Sequence, residues 1–265
     1  MKAGIFSALC LTLTLSAAAS LTGRAADSPT GPTAADIVKL SLVKYASLTS
    51  YSDEGVTVAT LGTTIASSYT FTIKLARTNL YQVVWRLPDE VYTTKGVVWS
   101  AGDGNFLWMG KGSQPQKYRD REMAIASATG ISGGAAASVP ATFFNMPWGG
   151  LLRAHQTDFT RTADDKVGDV DCYVLTYSAK GRGTTVWIGK QDQLMHQIEN
   201  DTSGKVVRAA LEAQAQKNPQ IRAMLDASGD QIAQDVKSIE THRNIVLNPG
   251  LTVEDFHFQT AGEKL

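Results

Sequence analysis

Segments in which apolar and polar side chains strictly alternate constrain the fold of this chain more than any other feature. Residues 68–75 (SYTFTIKL) and 80–87 (LYQVVWRL) follow the pattern, and residues 171–178 and 184–189 continue it further along. Alternation with a period of two predicts strands that bury one face and expose the other. Parallel sheets covered on both faces have continuous apolar strands instead. The sequence therefore predicts an antiparallel sheet with one buried face.

The segments around these strands predict a mainly β fold with helices. Apolar residues at helical spacing predict a helix over residues 34–48, and the Asp-Gly step at Asp103–Gly104 predicts a hairpin. Residues 171–200 are predicted to form a meander of three strands. Residues 205–235, rich in Ala, Gln, Lys and Arg, predict two helices, and residues 253–258 (VEDFHF) predict a short final strand.

The middle of the chain, residues 120–153, is rich in Gly, Ala and aromatic residues and predicts a helical cover. Within it, Gly130–Gly134 (GISGG) matches the G-x-S-x-G pattern of a hydrolase nucleophile. That pattern needs a buried strand before the serine and a helix after it. The preceding residues, REMAIASAT, predict a helix instead, so we interpret Ser132 as a loop residue and expect no enzymatic activity.

Composition and charge argue against several classes of function. The 265 residues include 25 basic and 25 acidic side chains, and the formal net charge of +0 does not favour binding to nucleic acid. No metal-binding motif is present, and we expect neither a metal nor a cofactor. Adjacent carboxylates such as Asp53–Glu54 are expected to be solvated charges in turns. Cys172 is expected to be a buried small hydrophobic residue.

The first residues predict export. Residues 1–26 combine a lysine near the start, an apolar run and small residues suited to cleavage, which is typical of a secretory signal peptide. The apolar run is short for a membrane span, and no later segment approaches the roughly 18 apolar residues that a span needs. Residues 27–265 are therefore predicted to form one exported domain without a transmembrane segment.

Aromatic side chains are abundant on the predicted strands and in the middle segment. They allow two interpretations: a packed core, or the lining of an apolar hollow that holds an acyl chain beneath an aromatic lid. The candidate ligand-binding residues are Trp85, Trp99, Trp108, Phe143, Phe144, Met146 and Trp148. In the second interpretation, residues 133–139 are a hinge beside the lid.

Four segments, taken in order, resemble the LolA-like periplasmic lipoprotein carriers. They are LARTNLYQVVW (75–85), SAGDGNFLWM (100–109), DVDCYVLTYSAKGRGTTVWIGKQDQLMHQIEND (169–201) and DFHFQTAGEKL (255–265). The resemblance implies an unclosed antiparallel β-barrel covered by a helical lid over residues 120–153. It also implies a periplasmic location, no catalytic residues, and an apolar cavity that shields the acyl chains of lipoproteins.

The same resemblance implies a role for Arg77 and a set of partners. Arg77 matches the family's arginine that ties the lid to the barrel, although Thr78 stands where the family has proline. The implied partners are lipid or lipoprotein acyl chains and the lipoprotein-sorting components of the inner and outer membranes. The helical insertion at residues 205–235 departs from the family pattern.

Three functions remain open on the sequence alone. The first is a non-enzymatic carrier or binding protein for lipids or lipoprotein acyl chains. The second is a periplasmic sensor or scaffold that binds a protein partner through the inserted helices of residues 205–235. The third and least favoured is a hydrolase that uses Ser132 as its nucleophile.

Overall fold

The computed structural model of the chain describes residues 31–87, 94–110, 113–148, 150–229 and 233–259. The signal peptide predicted for residues 1–26 lies outside these ranges. The helices are α1 (Ala34–Ser47), α2 (Arg121–Thr129), α3 (Ser138–Phe143), α4 (Gly150–Ala154), α5 (Gly204–Ala215) and α6 (Pro219–Ser228). The strands are β1 (Ser50–Leu61), β2 (Thr64–Ala76), β3 (Leu80–Leu87), β4 (Thr94–Ser100), β5 (Asn105–Trp108), β6 (Gln116–Tyr118), β7 (Thr160–Arg161), β8 (Asp165–Val167), β9 (Val170–Ala179), β10 (Arg182–Gly189), β11 (Met195–Thr202) and β12 (Val236–Leu247).

The 12 strands form one antiparallel sheet in the order β6-β5-β4-β3-β2-β1-β12-β11-β10-β9-β7, with β8 also paired to β9. Most neighbours are consecutive in the chain, as expected for hairpins. Two pairings join strands that are not consecutive. Strand β7 pairs with β9, and β1 pairs with β12, which joins the two halves of the sheet from Tyr51↔Leu247 to Leu61↔Val236. Among the described residues β6 and β7 do not pair with each other. The predicted fold class, an unclosed antiparallel half-barrel with helices, is confirmed.

One face of the sheet, here called the inner face, packs against α1 to α4. Its apolar side chains and those of the helices form the main core, which includes Phe71, Ile73, Val83, Trp85, Leu175, Val186 and Ile198. Removing apolar surface from water contributes about 25 cal/mol per Å², so this contact between helices and sheet stabilises the fold. Cys172 is buried as predicted, and burial raises the pKa of its thiol to about 11.

Helix α1 begins at a capping box and ends against the sheet. Thr33 accepts a hydrogen bond from the backbone N–H of Asp36, whose carboxylate accepts one from the N–H of Thr33. This exchange satisfies donors that would otherwise be unpaired at the start of the helix. Near its other end, Tyr45 is fully buried, and its hydroxyl accepts a hydrogen bond from the backbone N–H of Met195 at 3.2 Å.

Helices α5 and α6 form the connection between β11 and β12. The strands on either side are paired up to Thr202↔Val236, so the two helices leave and return at one place on the sheet. Asn218 caps α6 through a 2.9 Å hydrogen bond from the N–H of Gln220, and Pro219 occupies its first turn. Two helices therefore lie in the segment where the sequence predicts them.

The prediction of a strand over residues 253–258 is wrong. Val253–Phe256 is a 3-10 helix, because Thr252 and Asp255 form a capping box that turns the chain. The Thr252 N–H donates to the Asp255 carboxylate at 2.8 Å. The turn buries Phe256 against Ala76 and Ala101. It places residues 256–258, here called the C-terminal segment, on the outer face of the sheet, opposite the helices.

Candidate functional site: the helical lid on the inner face

Helices α2, α3 and α4, here called the lid, occupy the segment predicted as a helical lid, residues 120–153, and α4 ends one residue beyond it at Ala154. Helix α3, SVPATF, is short and almost entirely buried, with Pro140 in its first turn, where the missing N–H costs no helical hydrogen bond. Helix α4 buries Leu152 against the same core. The lid is therefore bound to the sheet chiefly by apolar packing.

The turn between α2 and α3 contains two glycines that the structure requires. Gly133 and Gly134 have φ angles of +67° and +107°, in the left-handed region that favours glycine. A Cβ on Gly133 would lie only 3.0 Å from the ring of Tyr69 and 3.2 Å from the methyl group of Thr57. The glycines thus let the turn approach β1 and β2 closely, which is a packing role.

Ser132 lies in this turn and is fully buried. Its hydroxyl donates to the carbonyl of Thr129 at 3.1 Å and accepts from the N–H of Ala136 at 3.1 Å. It follows helix α2 and not a strand. The serine therefore fixes the turn and lacks the strand and exposed hydroxyl of a nucleophile elbow.

The candidate ligand-binding residues lie in three different places. Trp85, Phe143, Phe144 and Met146 belong to the core beneath the lid. The rings of Phe143 and Phe144 meet edge to face at 4.9 Å, and a Cβ on Gly96 would overlap the ring of Trp85 at 2.0 Å. These side chains fill the inner face.

Trp99 and Trp108 lie on the outer face of the sheet. There they pack against Phe258 of the C-terminal segment, with ring centroids 5.2 and 5.3 Å from it. Trp148 lies between α3 and α4 and is 42% exposed. The structure thus separates Trp99 and Trp108 from the lid, and it places Trp148 at the lid's surface.

Arg77, the predicted latch, joins the sheet to two helices. Its Nε and a terminal guanidinium nitrogen donate to the carbonyls of Leu48 and Tyr45 at 3.2 and 3.0 Å, at the end of α1. The guanidinium also lies 4.1 Å from the ring centroid of Phe143 in α3, a cation–π contact. Burial, and then the nearby charge of Arg121, lowers the pKa of Arg77.

Arg121 forms a second contact of the same kind. Its guanidinium lies 4.2 Å from the ring centroid of Phe144. It also donates to Glu122 at 3.0 Å and to the carbonyl of Thr78 at 3.4 Å, next to Arg77 in sequence. Two neighbouring arginines therefore cover the two neighbouring phenylalanines of the lid.

A hollow of about 310 Å³ lies between the lid and the inner face. Its walls are mostly apolar, and they include Ala137, Trp148, Leu151, Ala154, Ile198 and Asn200. Trp148 and Ala154 belong to the exposed side of the lid, whereas Ile198 belongs to the sheet. This apolar pocket is a hollow between the lid and the sheet that could hold part of a ligand.

A buried cluster of charged side chains lies on the inner face beside this pocket. His242 Nδ1 is 2.6 Å from Asp53 Oδ2, and His242 Nε2 is 3.0 Å from Glu240 Oε1. The Tyr51 hydroxyl donates to Asp53 Oδ2 at 2.7 Å, and the hydroxyl of Ser138, the first residue of α3, donates to Glu240 Oε1. The cluster therefore connects β1, β12 and the lid.

The charge state of this cluster follows from its surroundings. Burial alone would lower the pKa of His242, but the carboxylates of Asp53 and Glu240 outweigh it and raise the pKa to about 10. His242 is therefore an imidazolium at neutral pH, with a carboxylate at each ring nitrogen. The Ser138 hydroxyl donates to Glu240 and not to His242, so the cluster is an ionic clasp and not a catalytic triad.

The sequence interpretation missed this cluster. Asp53 was expected to be a solvated turn charge, yet it is buried within β1, and that expectation is wrong. The residues around Asp53, SYSDEGVTV, alternate weakly and could have indicated a strand. Most of them are polar, so the buried face of that strand is hard to recognise. His242 and Glu240 occupy alternate positions in β12, which is typical of side chains on one face.

Neither the comparison with protein-family models nor the comparison with curated proteins gives a match. Solved structures that resemble the chain include LprF from Mycobacterium bovis, 12% identical with a TM-score of 0.43, which covers 83% of this chain and 95% of that one. A LolA superfamily protein from Nitrosomonas europaea is 9% identical, with a TM-score of 0.35 and coverage of 86% and 99%. A DUF1329 family protein from Desulfovibrio piger is 10% identical, with a TM-score of 0.36 and coverage of 84% and 95%.

One of these structures is therefore a protein of the LolA superfamily, which the sequence also resembles. In the described part of the chain, none of the helices combines the length and apolarity needed to cross a bilayer.

Proposed function

We propose that the protein is a non-enzymatic, exported carrier or binding protein for lipids or the acyl chains of lipoproteins. The observation that supports this proposal is the apolar pocket of about 310 Å³ between the lid and the inner face. Ligand sites are typically hollows of about 300–1,000 Å³ with mostly apolar walls and a few polar groups. In this pocket Asn200 and Ser138 are among the few polar groups.

The physics of burial supports an acyl chain as the ligand. Each methylene group removed from water contributes about 0.8 kcal/mol, so even part of a chain in this pocket would bind usefully. A longer chain would need space now filled by Phe143, Phe144 and Met146, which belong to the lid. Opening of the lid, with Arg77 as the latch, would provide that space.

Filling the pocket should prevent binding. We expect Ala154→Trp to weaken the binding of an acyl chain about tenfold or more, because a buried indole takes 150–250 Å² of apolar surface that the ligand would otherwise cover. The measurement is displacement of a neutral hydrophobic dye by palmitate. Ala154 is exposed on α4, so the fold should be retained, which circular dichroism can check.

The matched control is Ala223→Trp. Ala223 is an exposed alanine of α6 that does not line the pocket. The control should bind palmitate like the unchanged protein. Equal binding by both variants would contradict the proposed site.

A further inference from the structure

The polarity of the inner face changes from one row of side chains to the next along β9, β10 and β11. The first row is apolar, the second is polar and the third carries a cation. By cross-strand register, the rows are Leu175–Val186–Ile198, Tyr177–Thr184–Asn200 and Ala179–Arg182–Thr202. Successive rows on one face lie about 7 Å apart, since a strand rises 3.2–3.4 Å per residue. The cationic row is therefore about 14 Å from Ile198 in the apolar pocket.

A second hollow, of about 720 Å³, lies over the polar and cationic rows. Its walls include His155, Tyr177, Lys180, Arg182, Thr184 and Asn200. Asn200 also lines the apolar pocket, and Ala154 of that pocket is followed directly by His155 of this one. The two hollows are therefore neighbours along one face of the sheet.

The second hollow carries cations suited to an anionic group. Lys180 and Arg182 are exposed at its end, and within the described ranges neither side chain has a hydrogen bond or an ion pair. Asp201 also lines the hollow, so its cations outnumber its acids, whereas the chain as a whole has a net charge of +0.

The polar row adds hydrogen-bond donors. The Thr184 hydroxyl donates to the Asn200 side-chain carbonyl at 2.9 Å, which leaves the Asn200 amide N–H groups available to a ligand. The ring of His155 stacks on that of Tyr177 with centroids 4.0 Å apart, which forms a wall on one side. A negatively charged oxygen in this hollow would meet both charge and donors.

We propose that the ligand is an amphiphile with an anionic headgroup, whose acyl chain occupies the apolar pocket and whose headgroup binds at Lys180 and Arg182. This inference rests on the proposed function and names the chemical class of its ligand. The headgroup is a carboxylate, as in a fatty acid, or a phosphate, as in a lysophospholipid. Either one gains charge-assisted hydrogen bonds that an uncharged headgroup lacks.

The test compares ligands of equal chain length that differ in their headgroup. Palmitate, palmitoyl lysophosphatidate and uncharged hexadecanol each displace the neutral dye at low ionic strength. We expect the anions to bind about tenfold more tightly than the alcohol, and this preference to shrink as salt is added. The tighter of the two anions identifies carboxylate or phosphate as the preferred headgroup.

Two double variants test the residues. In Lys180→Gln with Arg182→Gln, the preference for the anions should disappear while hexadecanol binds as before. The control is Arg86→Gln with Arg243→Gln, which removes two exposed cations that line a hollow on the outer face and should keep the preference.

The possible failures are distinct. Equal binding of anions and alcohol by the unchanged protein, or a preference that survives in the Lys180 and Arg182 variant, would overturn the headgroup site while the carrier function stands. If none of the three ligands displaces the dye, the proposed function fails, and this inference fails with it.

Discussion

Replacing His242 by glutamine is expected to lower the free energy of unfolding by about 3–5 kcal/mol. The imidazolium lies between the carboxylates of Asp53 and Glu240, and both His242 and Asp53 have fully buried side chains. Glutamine is neutral, so it would leave two buried carboxylates without a counter-charge. Urea or thermal unfolding of the purified variant measures the loss.

The matched control removes the whole cluster of charges. In the triple variant Asp53→Asn, His242→Gln, Glu240→Gln, no buried charge is left unpaired. Much of the lost stability should return, because the main cost of breaking a buried ion pair is the uncompensated charge that remains. A His242→Gln variant within about 1 kcal/mol of the unchanged protein would contradict a buried ionic clasp.

The pH dependence of stability gives a second measurement of the same contact. The pKa of His242 is raised from 6.5 to about 10 in the folded protein, so the folded state holds a proton that the unfolded state loses first. The contribution of His242 is therefore complete below the unfolded pKa, and it declines as the pH rises from there towards about 10. The His242→Gln variant should lack this decline.

Replacing Arg77 by methionine is expected to lower the free energy of unfolding by about 2–3 kcal/mol and to loosen the lid. The change removes two hydrogen bonds to the carbonyls of Tyr45 and Leu48 and the cation–π contact with Phe143. Methionine keeps much of the apolar stem, so the effect reports the guanidinium group. Hydrogen exchange should show faster exchange in residues 138–148.

The conservative variant Arg77→Lys separates charge from geometry. Lysine keeps the positive charge but cannot place two donors and a flat cation as arginine does. We therefore expect an intermediate effect on both stability and lid exchange. Unchanged exchange of residues 138–148 in Arg77→Met would show that Arg77 is not a latch.

Alternation in the sequence predicted the strands that carry the most apolar residues. It predicted β2, β3 and β9 to β11 because their buried positions are occupied by aromatic and branched side chains. It missed β1, where Gly55 and a register shift against β12 between Ser52 and Glu54 interrupt the pattern. Strand β1, which the sequence pattern did not predict, joins the two halves of the sheet through its pairing with β12.

The faces of the sheet were harder to predict than its strands. In β4 the adjacent residues Val97 and Val98 are both fully buried, one on each face, so a period of two does not say which face Trp99 occupies. The C-terminal segment decides this, because Phe258 covers Trp99 and Trp108 on the outer face. A contact between distant parts of the chain thus determines which side chains cover Trp99.

The candidate site depends on similar long-range contacts. Asp53 and His242 are 189 residues apart in sequence and meet only because β1 pairs with β12. Arg77 was predicted from a family resemblance, and its contacts with α1 and α3 support the latch that was proposed. The apolar pocket arises where α3, α4 and β11 meet, which local patterns in the sequence do not describe.

Native mass spectrometry of the protein, purified without detergent from the cells that make it, tests the central claim most directly. We expect a bound species with the mass of an acyl lipid, which is absent from the Ala154→Trp variant and present in the Ala223→Trp variant. A protein that carries only its own mass, and from which palmitate displaces no dye, would contradict the claim that the space beneath the lid binds lipid.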